Sequence, residues 1–154
     1  MLSEKELQEI TVELAHCATK ASASIEALNV VQRHRGWVSD EGLRDVAHAL
    51  DMTPDELDAV ATFYSFIFRR PVGRHVILVC DSVSCWVMGY NPLLNVLKAK
   101  LGIAFGETTD DKRFTLLPIS CLGACDRAPA MMLDDDLYGP VAPEKLDEIL
   151  NKYK

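Results

Sequence analysis

Val76-Ile77-Leu78-Val79-Cys80-Asp81-Ser82-Val83-Ser84-Cys85 is an apolar run that ends in a pair of cysteines. The pattern returns as Phe114-Thr115-Leu116-Leu117-Pro118-Ile119-Ser120-Cys121-Leu122-Gly123-Ala124-Cys125, with 35 residues between Cys85 and Cys121. Four of the five cysteines fall in these two stretches. Short Val/Ile/Leu-rich runs of this length read as buried strands. Both cysteine pairs are therefore expected in loops at strand ends, where a sheet holds two loops side by side. Four thiolates supplied by adjacent loops suit a metal ion or an iron–sulfur cluster.

Composition narrows the field further. At 154 residues the chain can bury one real core, with room for a small second subdomain. The formal net charge is −7, which repels a polyanion and argues against nucleic acid as a partner. No apolar run approaches the roughly 20 residues of a bilayer span, so no direct membrane insertion is expected. The start, Met1-Leu2-Ser3-Glu4-Lys5-Glu6-Leu7, is acidic and helical in pattern, unlike a secretory or transit segment. A cytosolic chain is the expectation, and there five cysteines argue for metal chemistry over disulfides.

Upstream of the cysteines the period is helical. Leu7, Ile10, Leu14 and Cys17 form one stripe over residues 4–17; Ile25, Leu28 and Val31 form another over 21–34, ending before Gly36. Ser39 or Asp40 caps a third helix with Leu43, Val46, Ala47 and Leu50 on one face. Thr53 and Glu56 make a capping box around Pro54, and Leu57, Val60, Ala61 and Tyr64 continue that helix. The run Phe66–Gly73 breaks the period and reads as a connector. Downstream, Asn91-Pro92 opens a helix with Leu93, Leu94, Leu97 and Leu101 inward and Gly102 at its end. Pro129–Leu133 is a third strand, Asp134–Asp136 a turn towards Leu137-Tyr138, and Pro143-Glu144 opens a last helix carrying Leu146, Ile149 and Leu150. The reading is an α+β chain: a small helical segment over 1–70, then an α/β layer domain over 71–154.

At the cysteines themselves more than one chemistry is open. Cys80 with Cys85 and Cys121 with Cys125 can each turn towards one point, and Gly123 lets backbone N–H groups approach sulfur. Ser82, Ser84 and Ser120 can add hydroxyl donors. Structural zinc favours tighter pairs, though the second spacing is allowed. A thioredoxin-type redox site needs C-x-x-C, which is absent, and a Rieske centre needs histidines that do not alternate with these cysteines. Trp86 is expected to shield the site from water. Asp81 and Asp126 cap turns and disfavour added negative charge on a cluster. His75 reads as a packing residue, and Arg69, Arg70 and Arg74 as a basic connector or docking patch. Cys17 reads as a small buried hydrophobe. No phosphate loop, Ser–His–Asp set or carboxylate pair stands out, so no catalytic residues are expected.

The motifs go beyond spacing. Cys80-Asp-Ser-Val-Ser-Cys85 and Cys121-Leu-Gly-Ala-Cys125-Asp126 resemble the cluster loops of the thioredoxin-like [2Fe–2S] family, nearest to the E-type subunits of bacterial NADH:quinone oxidoreductases. The likeness extends through Val60-Ala61-Thr62-Phe63-Tyr64, Arg70-Pro71-Val72-Gly73-Arg74-His75, Arg113–Pro118, Ala128-Pro129-Ala130-Met131-Met132 and Pro143-Glu144-Lys145-Leu146. It implies a helical segment beside a thioredoxin-like ferredoxin domain, with one [2Fe–2S] cluster on Cys80, Cys85, Cys121 and Cys125. It further implies a flavin subunit holding FMN and NADH, a larger iron–sulfur subunit, and a place in the cytoplasmic peripheral arm of a membrane-bound, quinone-reducing translocase. In the family the cluster takes an electron from the flavin and lies off the main chain of clusters. NAD-linked hydrogenases and formate dehydrogenases use similar chains, and a stand-alone ferredoxin or a zinc-stabilised module are the competing classes.

Overall fold

A computed structural model describes residues 1–154, which divide into two compact units, Met1–Pro71 and Val72–Lys154. The first is all helical: α1 Glu4–Ala15, a 3₁₀ turn at Lys20–Ala23, α2 Ser24–Arg35, α3 Asp40–Ala49 and α4 Pro54–Phe63. Its helix starts are set by short polar side chains. Ser3 with Glu6, and Thr53 with Glu56, form reciprocal capping boxes, and Ser39 accepts the Gly42 N–H at 3.1 Å. Gly36 ends α2 in the left-handed conformation, φ 81°.

The core of this unit gathers Ile10, Leu28, Val31, Val46, Leu50 and Leu57. The helical stripes need correcting in three places. Leu7 is 44% exposed, and the position one residue earlier, Glu6, turns inward instead because its carboxylate meets Arg35. Tyr64 caps the end of α4 and is exposed rather than part of the buried face. Cys17 is half-buried against the core rather than fully enclosed. The expected basic patch is also thinner than its sequence suggests. Arg69 is committed to Asp58 at 2.8 Å, to Asp40 at 2.7 Å and to the Val38 carbonyl, while Arg70 and Arg74 stay exposed.

The second unit is a mixed four-stranded sheet in the order β2-β1-β3-β4, with β1 His75–Cys80, β2 Phe114–Ile119, β3 Met131–Leu133 and β4 Asp136–Tyr138. β1 is buried from Val76 to Cys80, which explains its continuous apolar run: the strand is covered on both faces. It pairs parallel with β2 and antiparallel with β3. The parallel pair needs a crossover, supplied by α5 Val83–Met88 and α6 Tyr90–Leu101, the latter burying Leu93, Leu94 and Leu97. Pro118 cannot donate to a ladder, and β2 lies at the sheet edge, where that is tolerated. At the β3–β4 turn Asp134 adopts φ 51°; its carboxylate accepts the Val76 N–H at 2.9 Å and meets His75 Nδ1 at 2.7 Å. A 3₁₀ turn at Pro143–Lys145 leads into α7 Leu146–Leu150, whose Leu146, Ile149 and Leu150 complete the core. No helix is long and apolar enough to cross a membrane.

Candidate metal centre

β1 and β2 run parallel, so both finish at the same end of the sheet, where Cys80 faces Ile119 in the register. The Asp81 N–H extends the ladder by one bond, to the Ile119 carbonyl at 3.0 Å, before the chains part. Cys121 follows two residues after Ile119. This pairing alone brings the halves of the cysteine pattern together.

The two pairs are not simply in loops, as the spacing suggests. Cys80 is the last residue of β1, and Cys85 lies within α5, a helix without a clear sequence signature. Its six residues have a β-branched start, Val83-Ser84-Cys85-Trp86-Val87-Met88, and carry little helical signal of their own. Cys121 alone lies in irregular backbone, and Cys125 opens a 3₁₀ turn over Cys125–Arg127. That turn is held from outside by Gly139, where a Cβ would overlap the Arg127 carbonyl oxygen and come within 3.1 Å of the Arg127 Cβ.

All five cysteines are free thiols. The four at the sheet end form a string of neighbours. Cys80 interacts with both Cys85 and Cys121, Cys121 with Cys125, and Cys125 lies close enough to Cys85 for its charge to be felt there. No three cysteine, histidine or carboxylate side chains converge on one point as the ligands of a single ion would. Four thiols gathered at one end of the sheet are the donor set that a [2Fe–2S] cluster takes.

The site is asymmetric. Cys80 and Cys85 are 2% and 1% exposed, whereas Cys121 and Cys125 face outward. Burial pushes the Cys85 thiol above its ordinary value, opposed by the backbone N–H of Ala130. Cys121 moves the other way, chiefly because the Gly123 N–H donates to its sulfur at 3.3 Å. Gly123 does so with φ 72°, a conformation that side chains resist. The Ser82 hydroxyl adds a smaller lowering influence on Cys121. Ala130 is a member of the site that sequence reasoning does not find. It holds the site twice, accepting the Cys80 N–H at 3.1 Å and donating towards Cys85, and a backbone role of this kind leaves no mark in side-chain patterns. The shielding role expected of Trp86 is not seen: its side chain stands in solvent, 60% exposed.

The family described as thioredoxin-like [2Fe-2S] ferredoxin matches residues 9–154. Among curated relatives, the E subunit of the NADH-quinone oxidoreductase of Pseudomonas aeruginosa is 47% identical over 99% of this chain and 92% of its own length. The E subunit of the same enzyme from Escherichia coli strain K12 is 48% identical over the same shares. Among solved structures, a NAD+-reducing [NiFe]-hydrogenase in the H2-reduced state superposes with a TM-score of 0.71 at 28% identity. That match covers 84% of this chain but only 22% of the hydrogenase chain. Family match and relatives agree over nearly the whole sequence: the chain belongs to the thioredoxin-like [2Fe-2S] ferredoxin family, among the E-type subunits of NADH-quinone oxidoreductases.

Proposed function

We propose that this chain is a non-autonomous, electron-carrying subunit of an NADH-oxidising, quinone-reducing complex, with one [2Fe–2S] cluster held by Cys80, Cys85, Cys121 and Cys125. The observation that carries the reading is the four-thiol string at the shared end of β1 and β2. When bound, such a cluster takes up and releases one electron. The chain's own residues set the conditions for that exchange. Buried Cys80 and Cys85 exclude water from one side. The N–H groups of Gly123 and Ala130 stabilise negative charge on sulfur, and so favour the state that carries more of it. Asp81 and Asp126, both exposed, oppose it weakly through solvent. Cys121 and Cys125 form the face through which an electron enters and leaves. FMN and NADH belong to a flavin subunit, and a larger iron–sulfur subunit completes the module, in the peripheral arm on the cytoplasmic side of the membrane.

The same subunit type in a NAD-linked hydrogenase is the second reading, supported by the hydrogenase superposition. Identity of 47–48% over 99% of the chain, against 28% over 84%, favours the quinone-reducing host. Anaerobically purified chain is expected to be brown, with two irons and two acid-labile sulfides per polypeptide. Pulled from native cells, it is expected to bring down a complex that oxidises NADH. Stoichiometric zinc with no visible absorbance in cluster-repleted protein overturns the cluster, and a host complex that consumes hydrogen overturns the choice of partner enzyme.

A further inference from the structure

Trp86 does not stand alone in solvent. Val83, Val87 and Met88 are 72%, 70% and 61% exposed, so four of the six residues of α5 present large apolar side chains outward. With ordinary side-chain areas this patch is on the order of 500 Å², the upper end of what a monomer tolerates uncovered and more than half of one partner's share of a standard interface. It continues into a groove of about 430 Å³ lined by Met88, Pro92, Pro129, Pro140 and Val141, with Lys145 as its one charged residue. A quarter of the chain is charged, yet residues 82–97 carry no charge at all. The surface that fits over α5 is therefore apolar and uncharged, with a polar or acidic group accommodated only beside Lys145 at the groove. Its position restricts the occupant further. α5 carries Cys85, and the patch shares the sheet end with outward-facing Cys121 and Cys125. Any protein that exchanges electrons at that end meets α5 on approach.

We infer that the α5 face and its groove are the docking surface for the flavin-bearing subunit, which seats an uncharged apolar patch over Trp86 and inserts side chains between Met88 and Pro140. The inference rests on the function proposed above and adds to it the surface by which the partner is held. Trp86 is the central anchor: a rigid aromatic, rimmed by aliphatic neighbours that exclude water once covered.

The test uses the full chain loaded with its cluster, verified by visible absorbance and iron content, and the flavin-bearing subunit from the same cells. Trp86→Ala is expected to weaken their binding on the order of 30-fold. Met88→Lys, which buries an unpaired charge, is expected to weaken it at least as much. If both variants keep the cluster and bind as the parent does, the surface is wrong while the proposed function stands. If the parent chain itself does not bind, the function falls and this inference with it. Should a substitution beside Cys85 cost the cluster, hydroxyl-radical footprinting of the unaltered complex decides. Trp86 and Met88 are expected to oxidise about 10-fold more slowly in the complex, and unchanged rates overturn the proposal. Sedimentation of the isolated chain as a dimer that Met88→Lys dissociates assigns the face to a second copy and likewise overturns it.

Discussion

Replacing Glu6 by Gln is expected to destabilise the helical unit by about 3 kcal/mol at neutral pH, and by much less in acid. Glu6 occupies the third position of α1, where its carboxylate accepts the Ser3 N–H at 2.7 Å. The same group receives Arg35 of α2 through two bonds, Nε to Oε1 at 2.6 Å and Nη2 to Oε2 at 2.8 Å. Glu6 is 2% exposed. Arg35, and then Ser3, outweigh the desolvation of burial and hold the carboxyl down to about 2 from its ordinary 4.5. At 1.36 kcal/mol per unit, that depression is worth about 3 kcal/mol to the folded state. Because the folded value is the lower one, the contribution is complete above the unfolded value near 4.5. It is lost as pH falls from there towards 2, and less than half of it remains at pH 3. Gln keeps the size and the capping oxygen but removes the bonded counter-charge, leaving the guanidinium only the more distant charges of Asp45 and Glu41. Arg35 retains water access, with 29% of its side chain exposed, so the cost falls at the lower end of that for breaking a buried pair. Urea titrations followed by half-buried Trp37, directly after the Gly36 cap of α2, measure the difference at pH 7 and pH 3. A gap below about 1 kcal/mol at pH 7, or one that does not shrink on acidification, refutes the assignment.

Four other outcomes are expected. Ser in place of Cys80, Cys85, Cys121 or Cys125 perturbs or destabilises the cluster, because oxygen is a harder ligand, while Cys17→Ala leaves the visible spectrum unchanged. In the apo chain, brief alkylation read by mass spectrometry labels exposed Cys121 and Cys125 well before buried Cys80 and Cys85; uniform labelling contradicts the burial. Gly139→Ala, which drives a methyl group into the Arg127 carbonyl, costs about 1–3 kcal/mol in a thermal melt and loosens the turn that carries Cys125. A fragment beginning near Arg70 still assembles a cluster but binds the flavin subunit more weakly than the full chain, as a paired pull-down with iron determination shows; full-strength binding removes the helices from the interface.

Much of the fold is legible in the letters where single residues suffice. Thr53, Pro54 and Glu56 state a helix start in side-chain chemistry, and the box forms. Phe114–Ile119 has the length and composition of a strand and is one. What the letters do not show depends on partners distant in sequence. Leu7 and Glu6 fit a stripe equally well by spacing, and only Arg35, 29 positions from Glu6, decides that the charged residue goes in. α5 has weak intrinsic propensity and no side-chain cap at Ser82, and it runs through Gly89 directly into α6, so its sequence resembles a loop. Trp86 suggests a lid because aromatics beside a reactive site usually shield it; its exposure follows from the uncharged face on which it stands. Ala130 contributes backbone, which a sequence does not advertise.

The parallel pairing of β1 with β2 imposes an order of events. His75 and Phe114, partners in the register, lie 39 positions apart in the chain. Closing a loop of that length costs about 3 kcal/mol beyond the fixed part of the entropy, before any sulfur meets another across the strands. An unpaired chain offers only two separate dithiols. The four-thiol string exists once Ile77, Val79, Leu116 and Met131 have already packed. The apolar core is thus a gatekeeper for loading: iron delivered to an incompletely folded chain finds half a site, and a chain that retains its iron has passed a test of its own topology.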